Sequence, residues 1–263
     1  MLSYSILNKS NLLINSPLEQ FDVVNLVSLN APIFNYFNIA LTNFALYSLI
    51  TLFVILALHL YADNENKLIP SKWSISLEAL FATINSMARD QLGTKNERYL
   101  PFVYSLFSFI LIANLVGLIP YNFTITSSII LCLGFSVTIF IGVTILSLSI
   151  HGLHFFSYFV PSGTPIVLVP LLVLIELLSY VARAFSLGVR LFANLCAGHS
   201  LLKILSTFLY KMFSSSLIVA MLTLLPFAIF IALIGLELAV CFIQAIVFSI
   251  LVSSYVKDAI DLH

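Results

Sequence analysis

The chain has 263 residues, of which 61% are hydrophobic and only 8% are charged, and its mean hydropathy is +1.11. Soluble domains carry roughly 25% charged residues, so this composition excludes a soluble protein and indicates an integral membrane protein. The formal net charge is zero, which excludes the basic surface that nucleic-acid-binding proteins use. The three cysteines lack the paired spacing of a disulfide framework or a zinc site, so we expect no metal and no cofactor.

The N-terminal residues match no targeting signal. The first arginine is Arg89, whereas mitochondrial transit peptides are rich in arginine. Residues 1–16 also lack the basic start and the apolar run of a secretory signal. We therefore expect residues 1–33 to form an exposed arm and the first membrane helix to direct insertion.

The first apolar segment, 36–61, is long enough to span a bilayer, which requires about 20 residues. The polar stretch 62–72 follows and should lie in water. Within 73–90, apolar residues recur at helical spacing, at Trp73, Leu77, Leu80, Phe81, Ile84 and Met87. This pattern predicts an amphipathic helix that either lies along the membrane surface or covers another subunit.

Two further spanning helices are predicted over 100–119 and 125–150. The turn between them is short, so they should form an antiparallel hairpin. Residues 151–165 contain two prolines and two glycines and are predicted to be a loop.

Segment 166–210 is apolar throughout, and a helix of that length would measure roughly 60 Å. The hydrocarbon core is only about 30 Å thick, so the helix should be strongly tilted. The alternative is two ordinary segments with a break near Gly188 or Gly198. Segment 216–256 is equally long, with Pro226 as a possible kink, and should pair antiparallel with the first.

These segments predict an all-α integral membrane protein with five spanning helices and one membrane domain over 16–263. Five crossings put the termini on opposite faces. The positive-inside rule then places the N-terminus outside, because basic residues crowd one face, at Lys67, Lys72, Arg89, Lys95, Arg98 and Lys257. Lys203 and Lys211 fall on the other face and weaken this asymmetry.

Polar and charged residues, whose transfer into hydrocarbon costs free energy, interrupt the long apolar segments. At 100° per residue, four of them fall within about 40° of one another and form one stripe, namely Glu176, Arg183, Arg190 and Asn194. His199 lies about 180° from Arg190, and Glu237 and Gln244 share a face of the last segment. Structural pairing explains Arg183 best, with Glu176 as its partner. An arginine stays charged and cannot relay a proton, whereas Glu and His can, so Arg190 suits a fixed cation beside a proton path.

The segment Ser186-Leu-Gly-Val-Arg-Leu-Phe-Ala-Asn-Leu-Cys-Ala-Gly-His199 resembles the signature of the ATP synthase subunit a family, in its fungal mitochondrial form. Similar matches occur at 161–165, 174–180 and near the C-terminus. The resemblance implies that Arg190 faces a rotating ring of c subunits. It implies that His199, Glu237, Asn194 and Gln244 line a proton access path, and that Glu176 and Asp258 line an exit path.

The same resemblance implies a non-catalytic, proton-conducting subunit of the membrane sector, in contact with the c-ring, subunit b, other membrane-sector subunits, lipid and protons. It implies the mitochondrial inner membrane, with the C-terminus in the matrix, and a leader over 1–15 that is cleaved. Other classes of membrane protein fit less well. The five histidines do not supply the axial pairs of a b-type cytochrome, and the chain shows no internal repeat of a secondary transporter.

Overall fold

The structure, a computed structural model, describes residues 16–30, 38–62, 70–120, 122–160, 168–214 and 217–260. Within these ranges seven α-helices follow a two-stranded sheet, and five of the helices are long and apolar enough to cross a bilayer. The predicted all-α membrane fold with an additional amphipathic helix is therefore confirmed. The predicted leader over 1–15, Lys67 and the motif at 161–165 lie outside the described residues.

The prediction of a helix from residue 36 was wrong, whereas residues 22–27 of the predicted arm are exposed. Strands β1 (Asn25–Asn30) and β2 (Asn38–Thr42) pair antiparallel, and helix α1 (Asn43–Ala62) begins only after them. The apolar residues of β2 continue directly into α1, and a hydropathy pattern counts apolar residues without regard to backbone conformation. The remaining 20 residues of α1 still reach about 30 Å, the thickness of the hydrocarbon core.

The side chain of Asn43 fixes this boundary. Its Oδ1 accepts hydrogen bonds from the backbone N–H groups of Val24 and Phe44, and its Nδ2 donates to the Asp22 carbonyl. One side chain therefore holds the start of the helix and the start of the hairpin together.

Helix α2 (Lys72–Leu92) is the predicted amphipathic helix. Its buried residues are spaced four apart, at Ile84, Ala88 and Leu92, and it packs against helices of its own chain. Trp73 and Phe81, which belong to the predicted apolar face, are exposed in the isolated chain. Part of that face is therefore available to a membrane surface or to another subunit, the two alternatives that the sequence left open.

Helices α3 (Leu100–Leu118) and α4 (Ile129–His151) are joined by a short connection, as predicted, but α3 packs mainly on α7 and α4 mainly on α5, so their antiparallel hairpin stays a prediction. Phe109 and Phe135 cross-pack between them, with ring centroids 5.6 Å apart. The connection contains a short 3-10 turn, Ile125–Ser127, and a second 3-10 segment, Gly152–Phe159, replaces much of the predicted loop after α4.

Helix α5 (Val169–Phe213) runs unbroken for 45 residues, which is about 67 Å. The alternative of two segments with a break at Gly188 or Gly198 was therefore wrong. Both glycines serve close contacts instead. A Cβ on Gly188 would lie 2.7 Å from the Cys132 carbonyl oxygen of α4, and a Cβ on Gly198 would lie 2.8 Å from Glu237 Oε1. Near Gly188, the Ser136 hydroxyl also donates to the Ala184 carbonyl.

The predicted final helix 216–256 is divided. A short helix α6 (Leu217–Leu222) precedes α7 (Leu224–Ile260), and Thr223 separates them. Pro226 explains the position of this break, since proline cannot donate to the carbonyl four residues earlier, at Leu222, and its ring clashes there. Hydrogen bonds from Thr223 N to Val219 O and from Phe227 N to Thr223 O keep the two pieces in line.

Helix α7 lies at the centre of the packing and contacts α2, α3, α4 and α5. The side chains that it presents to these neighbours are almost completely buried, at Cys241, Ala245, Phe248 and Val252. Contacts between α5 and α7 run antiparallel, because 183 meets 258 and 199 meets 237. The predicted antiparallel pairing of the last two long helices is therefore observed.

Candidate functional site

The Arg183 cluster consists of Glu176 and Arg183 on α5 and Asp258 on α7. Arg183 Nη2 lies 3.9 Å from Glu176 Oε1, and Arg183 Nη1 lies 3.4 Å from Asp258 Oδ2. About a third of each side chain is exposed, so the pairs contribute only about 0–1 kcal/mol to stability. The predicted pairing of Arg183 with Glu176 is present, and the structure adds Asp258 as a second carboxylate.

A partly open cavity of about 30 Å³ adjoins the Arg183 cluster between α4, α5 and α7. Its walls are mainly apolar, with polar groups from Ser147, Tyr180 and Tyr255 beside the ion pairs. The Ser147 hydroxyl is buried and has no hydrogen-bond partner among the described residues. Water is the natural partner for a buried hydroxyl, so the cavity can hydrate the Arg183 cluster.

The His199 cluster lies towards the other end of α5 and comprises Asn194, His199, Glu237 and Gln244. His199 Nδ1 lies 3.5 Å from Glu237 Oε1, and only 13% and 5% of the two side chains are exposed. An isolated charge is costly in such surroundings, so the pair is stable either with both groups neutral or as an ion pair. One proton moving between them interconverts these two states.

A second contact extends the His199 cluster towards the middle of α5. Asn194 Nδ2 donates to Gln244 Oε1 at 2.9 Å. Gln244 Nε2 is buried, as are both carboxylate oxygens of Glu237, and none of these atoms has a hydrogen-bond partner in the described part of the chain. The cluster therefore contains polar atoms that the described residues leave without hydrogen bonds.

Arg190 lies between the two clusters and belongs to neither. Its side chain is exposed, and it makes no hydrogen bond or ion pair with any described residue. A guanidinium remains charged in every accessible protonation state, so one without an ion pair among the described residues is suited to bind an anion. The prediction that Arg190 stands apart from Arg183 agrees with this geometry.

Sequence analysis missed a second stripe on α5. Small side chains recur at spacings of three, four and seven and are all exposed, at Ser179, Ala182, Ser186, Ala193 and Ala197. At 100° per residue they lie with Arg190 inside an arc of about 80°. Small residues let another helix approach closely in a membrane, so this face is shaped for an external helix. Their helical spacing is visible in the sequence, but the prediction of the site used only the polar residues of the same helix.

The remaining histidines and cysteines have ordinary structural surroundings. His59 Nε2 lies 3.1 Å from the Tyr104 hydroxyl, and His151 Nε2 lies 2.9 Å from the Ile260 carbonyl oxygen. The three cysteines are free thiols. Within the described residues no group of three potential ligands is placed to hold a metal ion.

Comparison with known proteins gives consistent matches. Residues 45–257 match the family model described as ATP synthase A chain. A protein of Mycosarcoma maydis called ATP synthase subunit a is 61% identical over 251 residues, which cover 95% of this chain and 99% of that protein. Proteins of the same name from Emericella nidulans and Wickerhamomyces canadensis are 52% and 46% identical over 94% and 97% of the chain, and over 97% and 100% of their own lengths.

Proposed function

We propose that this chain, which belongs to the ATP synthase A chain family, is the proton-conducting stator subunit of the membrane (Fo) sector. The family membership supports a non-catalytic Fo subunit. The observation that carries the finer assignment is the unpaired, exposed Arg190 between two separate polar clusters. A fixed cation between two groups of titratable residues suits two half-channels that do not connect directly.

The partner that Arg190 requires is a ring of c subunits, each with one carboxylate at mid-membrane depth. The stripe of small residues around Arg190 supports this assignment, because it allows a helix of the ring to pass close to α5. A guanidinium attracts the ionised form of such a carboxylate and stabilises it in the membrane.

The His199 cluster forms the access half-channel in this proposal. A proton from the outer face reaches the pair of His199 and Glu237, passes the amides of Asn194 and Gln244, and neutralises a ring carboxylate. The buried, partly unsatisfied atoms of the cluster support this role, since they can bind a short chain of water. The neutral site can then rotate into lipid at little electrostatic cost.

The Arg183 cluster forms the exit half-channel. After nearly a full turn the ring carboxylate approaches the cavity beside Glu176 and Asp258, loses its proton, and is held as an anion by Arg190. Arg183 has a structural role, because it keeps the two carboxylates of the exit path in place.

Arg190 also separates the half-channels. Since Arg190 cannot accept a further proton, a proton cannot hop from the His199 cluster to the Arg183 cluster except on the ring. Each proton that crosses then releases about 2.3 kcal/mol per 100 mV of membrane potential, and this free energy drives the rotation that is coupled to ATP synthesis.

The fungal relatives and the five apolar helices support a multi-pass protein of the mitochondrial inner membrane. We place the N-terminus in the intermembrane space and the C-terminus in the matrix. The basic residues that favour this orientation and lie among the described residues are Lys72, Arg89, Arg98 and Lys257. Subunit b and other membrane-sector subunits are the partners expected at the exposed surface of α2.

The test is Arg190→Ala in the assembled enzyme. We expect proton-driven ATP synthesis to be abolished while the complex assembles normally, because Arg190 makes no ion pair or hydrogen bond within the described part of its own chain. Arg98→Ala is the matched control, since Arg98 is also an exposed arginine but lies in the 3-10 segment Thr94–Tyr99 before α3. Normal coupling in Arg190→Ala, with the substitution verified, would remove the basis of the proposal.

A further inference from the structure

Asn114 on α3 is a buried amide without a partner. Its side chain is 0% exposed, and neither its Oδ1 nor its Nδ2 has a hydrogen-bond partner in the described part of the chain. Buried polar groups are satisfied in the great majority of cases, by protein or by ordered water. An amide with both ends free in a membrane helix therefore indicates bound water at this position.

Shared contacts place Asn114 about one turn from Gln244. Val103 of α3 and Ser249, Ile250 and Ser253 of α7 line one small cavity. Further along α3, Phe109 packs on Phe135 of α4, with ring centroids 5.6 Å apart, and Phe135 in turn packs on Phe248 of α7 at 5.9 Å. Residue numbers thus rise along α3 as they fall along α7, and the eleven residues from Val103 to Asn114 lead to roughly 238–242 on α7.

Gln244 is a polar residue of α7 within about one turn of that level. Its Oε1 accepts from Asn194, whereas its Nε2 is buried and free. Thr126, in the turn after α3, provides another free group, because its hydroxyl is 1% exposed and has no partner among the described residues. Three unsatisfied polar side chains therefore occur in one region of the fold, along the packed interface of α3 and α7 and at the outer end of α3.

We infer that Asn114 is a positioning residue of the access half-channel and binds water that bridges it to Gln244. An amide donates and accepts hydrogen bonds but does not hold an excess proton, so Asn114 orients water and does not exchange a proton itself. The inference rests on the proposed function of the His199 cluster. It extends the path from the α5–α7 interface to α3, a helix that carries no titratable residue at this level.

The first experiment measures passive proton flux through the membrane sector in proteoliposomes. Asn114→Leu removes the amide and keeps a similar volume, so packing should tolerate it. We expect flux to fall about tenfold, the factor that one lost hydrogen bond in the rate-limiting barrier implies. Asn114→Ser keeps a hydroxyl and leaves room for water, and it should recover most of the flux. Thr51→Val is the control, because Thr51 is also fully buried but already bonds to the Ser48 carbonyl.

Glu237→Gln, measured in parallel, separates the two proposals. If Glu237→Gln slows the flux and Asn114→Leu conducts like Thr51→Val, the inference is overturned and the function stands. If neither variant slows the flux, both are overturned.

The second experiment detects the water directly. In a variant without the three native cysteines, Asn114→Cys should react with a small, membrane-impermeant thiol reagent added from the outer face. Ile110→Cys, one turn away on α3 and 1% exposed in the native chain, should not react. Equal labelling of the two positions, or labelling of neither, would overturn the inference.

Discussion

The glycine at 198 offers a way to disturb the His199 cluster without removing any of its chemical groups. A Cβ at this position would lie 2.8 Å from Glu237 Oε1, whereas ordinary van der Waals contact begins near 3.4 Å. In Gly198→Ala the carboxylate must therefore retreat by about 0.6 Å. The nearest atom belongs to the end of a flexible side chain, so Glu237 can rotate and the helix backbone need not move.

The effect of Gly198→Ala on stability should be small. Alanine in place of glycine in a helix contributes about 1 kcal/mol, and an off-rotamer side chain costs about 0.5–1.5 kcal/mol. These contributions cancel to within about 1 kcal/mol. The effect on function should be larger, because displacing a reacting group by 1 Å can slow a reaction about 100-fold, and 0.6 Å corresponds to roughly tenfold.

The assay compares passive proton flux and thermal stability of the assembled enzyme. Gly142→Ala is the matched control, since Gly142 lies in the interior of α4 and a Cβ there would meet nothing within 4 Å. We expect Gly142→Ala to be about 1 kcal/mol more stable than the native chain, Gly198→Ala to stay within about 1 kcal/mol of it, and only Gly198→Ala to conduct slowly. If Gly198→Ala conducts like Gly142→Ala while Glu237→Gln is slow, the position of the carboxylate is not what limits the flux, and this reasoning is refuted.

Two further substitutions test the packing of the fold. In Gly188→Ala the new Cβ would lie 2.7 Å from a backbone atom, the Cys132 carbonyl oxygen, so we expect a loss of about 1–3 kcal/mol and a lower melting temperature in detergent than for Gly134→Ala, whose Cβ would meet nothing. In Asn43→Ala two hydrogen bonds to the start of the hairpin and one to the start of α1 are lost, so amide exchange within Asn25–Asn30 should accelerate about tenfold or more while α3 is unaffected. Unchanged exchange would show that backbone pairing alone holds the strands.

The spanning helices were predictable because a bilayer leaves the backbone few alternatives. Within hydrocarbon every N–H and C=O must find a partner, so an apolar segment of sufficient length becomes a helix. That argument correctly kept α5 continuous through Arg190. It failed at β2, because residues 38–42 are apolar but precede the membrane helix, where a strand partner can satisfy their backbone. It also missed the break at Thr223, because the effect of Pro226 falls four residues before the proline itself.

Residue spacing predicted the arrangement of the site residues only within a single helix. The spacing of Glu176 and Arg183 placed them on one face, and the structure shows them as a pair. The partners across helices depend on the register of α5 against α7, which no local pattern contains. Asp258 beside Arg183 is such a contact, as is Glu237 beside His199. The roles of these residues in proton transfer remain predictions.

The close contact at Gly188 has a mechanical consequence for the proposed stator. A helix of 45 residues that packs on no neighbour bends easily when a force acts across its axis. The backbone contact with Cys132 and the bond from Ser136 to Ala184 clamp α5 to α4 within two turns of Arg190. Under the proposed function, a ring carboxylate that passes and attracts Arg190 would pull on two helices held together close to that residue. The expected result is that Arg190 keeps its position, because the force is passed to α4 as shear and α5 does not bend alone.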